Sequence, residues 1–176
     1  MSGAAAHPYL RMALNNAWAN NRFFNALADL PPGAFTAPAP GFFPSLCRTL
    51  NHIHEVDLYY IDALEEGGLG RSVYDRSDET DPAALAAAQA EADRRLVDFC
   101  RRQNVGITSA SRRCERPGGI MTEERVDALL LHLFQHQVHH RGQAHVQLQA
   151  LGVAPPQLDE FHLDHDRHPS AEAFFA

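Results

Sequence analysis

Histidine is the residue type whose number and spacing in this chain point most directly to chemistry. The 176 residues include 11 histidines, and a run of fourteen residues holds His132, His136, His139, His140 and His145. Burying several unpaired imidazoles carries a desolvation cost that coordination of a metal ion would offset. The cluster therefore predicts a site for one divalent transition-metal ion.

Two of these histidines, His136 and His140, have the spacing of a chelating pair. Side chains four residues apart project from one face of a helix, about 40° apart, and two such imidazoles can bind one ion. The same spacing also suits histidines that are hydrogen-bonded in a core. A third ligand must come from another helix, where His52 and His54 lie on opposite shoulders of the face centred on Ile53. Periodicity alone does not choose between them.

Four segments with helical periodicity would position these side chains. Ser45 or Pro44 can begin the second helix, Asp81 caps the third ahead of Pro82, and Thr122 is the expected cap of the fourth. The segment 104–121 is expected to be a loop or a small hairpin. The predicted helices span residues 8–30, 45–66, 81–103 and 122–151.

Amphipathic helices of this length bury their apolar stripes against one another, which predicts an all-α four-helix bundle. The expected organisation is a single domain over residues 1–176, with its core in about 8–161 and a polar C-terminal tail in 162–176. The fourth helix is apolar on more than one side, at Leu130, Phe134, Val138 and Leu148. This is typical of a helix at the centre of one bundle or of a helix that also forms a homodimer.

Composition argues against several classes of protein. With 15 basic and 22 acidic residues the net charge is −7, and since no basic patch interrupts this charge we expect no nucleic-acid binding. No apolar run approaches the ~18 residues of a membrane span, and residues 1–9 do not read as a signal peptide. Three scattered cysteines without a CxxC pair favour a reducing, cytoplasmic location.

Three segments together resemble the DinB-like superfamily of metalloenzymes, also called the DinB/YfiT fold. The HxxHHRGQ string at His136–Gln143 carries most of the resemblance, and the LNHI string at Leu50–Ile53, followed by Asp57, supports it. The similar segments are Tyr9–Phe24, Ser45–Leu64 and Leu129–Leu151.

The resemblance implies an antiparallel four-helix bundle, often dimeric, that binds nickel or zinc through three histidines; iron, manganese and cobalt are further options. At the family's ligand positions this chain has His52, His136 and His140. His54 and His139 are not ligand positions in that pattern. The resemblance thus selects His52 where periodicity left the choice open.

Three neutral nitrogen ligands leave an open coordination position, as in catalytic zinc sites. Some relatives of this fold are thiol-dependent, so the resemblance implies an enzyme that transfers a low-molecular-weight thiol to a small electrophile. Metal-assisted hydrolysis is the second reading, and a non-catalytic metal-binding or interaction protein is the third. A fourth ligand from Glu55 or Asp57 would favour the third reading. Other candidate supporting residues, to which the sequence assigns no chemical role, are Tyr60, Gln143 and Gln147.

Overall fold

The computed structural model describes residues 7–102 and 109–175. Within these residues, four long helices and one antiparallel hairpin form the framework, with short 3₁₀ turns between them. The elements are α1 (Pro8–Ala26), α2 (Leu46–Glu65), α3 (Pro82–Arg101), β1 (Ser111–Arg116), β2 (Ile120–Arg125) and α4 (Val126–Ala150). The predicted end of the third helix at Gln103 lies outside the described residues.

Side-chain caps explain where α2 and α3 begin. Ser45 Oγ accepts a hydrogen bond from the Arg48 amide at 3.1 Å, and Asp81 Oδ1 accepts one from the Ala83 amide at 2.9 Å. Each bond satisfies an amide that has no partner inside its helix. At its other end α2 closes with Glu66 at φ +58°. Both predicted caps are therefore confirmed.

The start of the fourth helix differs from the prediction. Thr122 lies in β2 and pairs with Cys114 of β1, and its hydroxyl donates to the Cys114 carbonyl at 3.3 Å instead of capping a helix. The next two pairs of the ladder set Arg113 opposite Glu123 and Arg112 opposite Glu124, an arrangement of opposite charges that favours strand pairing. The small hairpin expected as one option in 104–121 is confirmed. Its second strand extends to Arg125, so the fourth helix begins at Val126 instead of Thr122.

The four helices pack around a shared interior, so the predicted four-helix bundle is confirmed. Both α1 and α2 contact α3 and α4. Thr49 of α2 contacts Gln147 of α4, whereas Tyr60 contacts His132, so α2 and α4 run antiparallel. By the same reasoning α2 and α3 run parallel, because Asp57 bonds Gln89 and Glu65 bonds Arg95.

The first and fourth helices also run parallel. Their beginnings meet in a groove lined by Tyr9 and Leu131, and further along Asn20 accepts a hydrogen bond from Arg141. Because α4 opposes α2, and α2 runs with α3, α1 must run antiparallel to α3. The antiparallel pairs are therefore α1 with α3 and α2 with α4.

The apolar side chains of α4 are divided between the interior and the surface. Leu130, Phe134 and Leu148 are buried in the bundle, whereas Val138 is 54% exposed. A central position of α4 thus accounts for three of the four residues that made this helix apolar on several sides. Within the described residues, no helix is long and apolar enough to cross a membrane.

The C-terminal segment packs against α1. Phe161 and Ala171 are fully buried beside Trp18, and the indole Nε1 of Trp18 donates to Ser170 Oγ at 3.0 Å. The rings of Trp18 and Phe161 lie 5.3 Å apart. Ser170 and Ala171, which were expected to belong to a polar tail, therefore join Phe161 in covering the only tryptophan of the chain.

Candidate metal centre

The antiparallel packing of α2 against α4 brings His52, His136 and His140 together. One nitrogen from each ring lies within 4.8 Å of the other two, and the Nε2 atoms of His52 and His136 are 3.1 Å apart. The rings of His136 and His140, one helical turn apart, have centroids 4.4 Å apart. The structure therefore brings the three histidines predicted as ligands into one cluster.

The cluster presents neutral imidazoles. Burial, together with the charges of His140 and Arg48, lowers the pKa of His52 to about 4. Burial and the neighbouring imidazoles lower the pKa of His136 to about 3. The Nδ1 of His140 lies 2.9 Å from Gln143 Oε1; because an amide oxygen only accepts, Nδ1 carries the proton and Nε2 keeps its lone pair. Neutral imidazoles with free lone pairs are the form that binds metals.

This donor set fits a divalent transition-metal ion. With metal–nitrogen bonds of about 2.0–2.1 Å and tetrahedral angles, ligand nitrogens are about 3.3 Å apart, close to the 3.1 Å between His52 and His136. Among the described residues, no carboxylate or thiol belongs to the cluster. Glu55 instead pairs with Arg48 at 3.1 Å, and Asp57 accepts a hydrogen bond from Gln89 at 2.7 Å.

An aromatic side chain covers one side of the cluster. The ring of Phe43, from the loop before α2, lies 4.6 Å from the His52 ring and 5.7 Å from the His140 ring. Its neighbour Phe42 contacts it edge-on and is 78% exposed. Sequence reasoning missed both residues, because a loop has no periodicity to show which side chains turn inward.

Gln147 holds this loop in place. Its amide nitrogen donates to the Phe43 carbonyl at 2.9 Å, and its amide oxygen accepts from the Thr49 hydroxyl at 2.7 Å. A Cβ on Gly41 would lie only 3.1 Å from the same amide nitrogen, so the loop approaches α4 closely where it has a glycine. Gln147, which the sequence singled out without a role, thus positions Phe43 rather than touching the histidines.

His54 and Asp57 point into the bundle rather than toward the histidine cluster. The Nδ1 of His54 lies 3.2 Å from Gln89 Oε1, and burial lowers the pKa of His54 to about 4. Asp57 is fully buried, and both burial and the nearby charge of Asp93 hold its pKa well above its usual value. The structure therefore agrees with the family pattern in separating His52 from His54.

Sequence reasoning also missed most of a buried polar network between α1, α3 and α4. Arg141 Nη1 donates to Asn16 Oδ1 at 2.7 Å and to Asn20 Oδ1 at 2.8 Å. Both asparagines donate in turn to Asp93 at 3.0 Å. Burial raises the pKa of Asp93 to about 6 and lowers that of Arg141 to about 10. The sequence feature that could have indicated this network is the presence of polar residues on otherwise apolar helix faces.

The remaining histidines of α4 lie outside the cluster. His132 contacts the Tyr60 ring at 5.0 Å, and the hydroxyl of Tyr60 accepts a hydrogen bond from Arg116 at 3.4 Å. His139 contacts Gln143, the residue that also orients His140. On another side of α4, His145 Nε2 lies 3.0 Å from the Pro156 carbonyl.

Comparisons with known proteins match this chain to one family and to one solved fold. The family model described as the DinB family matches residues 1–170. The curated protein "Protein DinB" of Bacillus subtilis (strain 168) is 22% identical over 150 residues, which cover 82% of this chain and 86% of that protein. The crystal structure of a DinB-like protein from Bacillus subtilis superposes with a TM-score of 0.63. It is 16% identical, and the match covers 86% of this chain and 98% of that one.

Proposed function

The chain belongs to the DinB family, and from that premise we propose that it is a metal-dependent enzyme that transfers a small thiol to an electrophile. The observation that carries the proposal is the cluster of His52, His136 and His140, which no carboxylate or thiol of the described residues completes. An ion held by three neutral nitrogens keeps a position for an exogenous ligand. Nickel and zinc are the proposed ions, with iron, manganese or cobalt as further options.

The proposed chemistry uses that open position. When bound, a divalent ion lowers the pKa of a thiol or of a water molecule at the open position and stabilises negative charge there. In a transfer, a sulfur–carbon bond forms, the bond to the leaving group breaks, and the thiol proton leaves with that group. The ring of Phe43 would keep bulk water from one side of the histidines, which favours a sulfur nucleophile over water.

Metal-assisted hydrolysis is the second candidate, because the same open position would activate water equally well. A non-catalytic role, in which the ion only ties α2 to α4, is the third. The open donor set argues against this third candidate, since structural zinc sites usually have four protein ligands.

A metal analysis followed by an activity screen would test the proposal. Protein purified without a histidine tag should carry about one equivalent of divalent metal by elemental analysis. This protein should then consume a low-molecular-weight thiol and an electrophile together, and the His136→Ala variant should not. Hydrolysis without thiol would favour the second candidate. The third candidate, a non-catalytic role, would be favoured if the protein carries a full equivalent of metal but no added ligand changes the spectrum of the cobalt-substituted form.

We also propose that the chain forms a homodimer and works in the cytoplasm. The supporting feature for the dimer is the apolar groove between the beginnings of α1 and α4, where Leu131 is 59% and Val138 is 54% exposed. Exposed apolar strips of this kind commonly mark protein interfaces. The three cysteines are buried and unpaired, which suits a reducing compartment.

Sedimentation equilibrium would test the proposed dimer. The wild type should give a mass of about twice 19.5 kDa at micromolar concentrations, and Leu131→Glu should shift it toward the monomer. The matched control is Val146→Glu, at a residue that is 57% exposed on the same helix but does not line the groove. A wild-type mass of 19.5 kDa throughout this range would contradict the dimer.

A further inference from the structure

A cavity of about 310 Å³ lies between α4, α1 and the segment that follows α4. It is on a different side of α4 from the histidine cluster. Arg141 and Gly142 of α4 form part of its wall, with Asn15 of α1 and Asp159 of the following segment. Its volume is at the lower end of the range for sites that hold small molecules, about 300–1,000 Å³.

The unusual feature of this wall is Arg141. The residue is 6% exposed, and its Nη1 atom is the one that bonds Asn16 and Asn20. Across the described residues, neither its Nε nor its Nη2 has an acceptor. Neither atom is among the buried side-chain atoms that lack a partner, so both are reached by solvent, and the cavity is the space that Arg141 lines. The free edge of the guanidinium can therefore donate to a molecule in the cavity.

The chemistry of the walls defines a ligand. Nε and Nη2 form one edge of a planar guanidinium, which matches the two oxygens of a carboxylate. Asp159, an exposed acidic residue on the wall, would repel a second negative charge and would attract an ammonium group. We propose that this cavity binds a small zwitterion of the amino-acid type, with its carboxylate on Arg141 and its ammonium group toward Asp159.

Gly142 allows this cavity to be closed without removing Arg141. A Cβ at this position would meet no atom within 4 Å, so a larger side chain would extend into free space. Leucine also favours a helix more than glycine does, and Gly142→Leu should therefore fold. Gln149→Leu is the matched control, because Gln149 is exposed on the same helix and does not line the cavity.

The test is a titration of the full chain with glycine and with acetate. Binding is measured by calorimetry and by the change in the NMR signal of the Arg141 Nε–H group. Glycine should bind saturably to the wild type, with a dissociation constant on the order of 1 mM, and should shift that signal. Gly142→Leu should abolish this binding, and Gln149→Leu should retain it. Absence of saturable glycine binding to the wild type would overturn the proposal, as would equal binding to Gly142→Leu.

A charge change separates the zwitterion from a simple carboxylate. Asp159→Asn removes the attraction for ammonium and the repulsion of acetate. The dissociation constant of glycine should therefore rise and that of acetate should fall. The dissociation constant of acetate divided by that of glycine should drop by at least about threefold. An unchanged ratio would show that Asp159 does not face the ligand and would overturn the zwitterion assignment. The Arg141 Nε–H signal and the comparison with Gly142→Leu report on this cavity rather than on the metal or on turnover. A negative result would therefore leave the proposed enzyme unaffected.

Discussion

At the scale of single residues, the three clustered histidines differ from the others in what surrounds their nitrogens. The Nε2 atoms of His52 and His136 face each other at 3.1 Å. Gln143 accepts from Nδ1 of His140, which leaves the lone pair of that ring on Nε2. His145 lies on another side of α4, where its partner is the Pro156 carbonyl of the segment that follows this helix. The same residue type therefore has different roles along one helix, according to what lies beside each ring.

We predict that His52→Ala, His136→Ala and His140→Ala each lose stoichiometric metal binding, because two remaining imidazoles hold a divalent ion far less tightly than three. His145→Ala should keep its metal, since its ring does not join the cluster. The measurement is metal content after dialysis against a mild chelator. A full equivalent of metal retained by His136→Ala would contradict the site assignment.

A second residue-scale prediction concerns Asp93. Burial raises its pKa from 3.8 to about 6 in the folded protein, so the unfolded chain releases this proton at lower pH than the folded one. Stability from this group is present below pH 3.8 and is lost as the pH rises to about 6. The amide of Asp93→Asn cannot ionise. The free energy of unfolding of the wild type, relative to this variant, should thus fall by about 2–3 kcal/mol between pH 4 and pH 7.

Urea denaturation of both proteins at the two pH values would measure this difference. Comparing across pH cancels the contacts that the substitution itself changes with Asn16, Asn20 and Gln89. The comparison requires that Asp57, whose pKa the charge of Asp93 also raises, and Arg141 each keep one protonation state over this range. A difference between the two proteins that is the same at both pH values would show that Asp93 is not the group that titrates.

At the scale of elements, the loop before α2 depends on α4 for its position. Gln147 is fully buried and bonds both the Phe43 carbonyl and Thr49. We predict that Gln147→Leu lowers the free energy of unfolding by about 1 kcal/mol, because it leaves the half-buried Phe43 carbonyl without its partner. The Thr49 hydroxyl can still donate to the Ser45 carbonyl. Metal stoichiometry should stay unchanged, since no ligand is altered. Chemical denaturation would show this loss, and an equal loss in the exposed variant Gln149→Leu would contradict the explanation.

The helices were predictable because each carries its own signals. Ser45 and Asp81 are residue types that cap helix N-termini, so the sequence predicts where two helices begin. The i, i+4 spacing of His136 and His140 places both side chains on one face of their helix. The prediction of Thr122 as a helix cap was wrong because Thr122 pairs with Cys114 of the neighbouring strand, and no local pattern around Thr122 shows this pairing. Phe43 and Arg141 were not assigned roles for the same reason, since their partners lie on other elements. Choosing His52 over His54 required either the family pattern or the packing of α2 on α4.

At the scale of the whole molecule, the bundle should not need the ion to fold. Its core contains buried side chains from all four helices, and a domain of this size usually buries enough apolar surface to be stable alone. We predict that metal-free protein keeps its helical circular-dichroism spectrum but melts at a lower temperature. The expected loss of stability is about 2.7 kcal/mol relative to protein with free metal at one hundred times the dissociation constant.

Parallel circular-dichroism melts of the stripped and the reloaded protein would test this. Reloading should restore the original melting temperature in the wild type but not in His136→Ala. Unfolding of the stripped wild type at room temperature would instead make the ion a structural cross-link, and the proposed enzyme would then lose its main physical support.

The contact between the C-terminal segment and Trp18 has an optical consequence. The indole is fully buried against Phe161 and bonded to Ser170, and it is the only tryptophan in the chain. Its fluorescence emission therefore reports the environment created where this segment meets α1, whereas circular dichroism at 222 nm averages over the helices. If the segment detaches before the bundle opens, the emission will shift to longer wavelength ahead of the dichroic transition. If the two transitions coincide, segment and bundle form one cooperative unit.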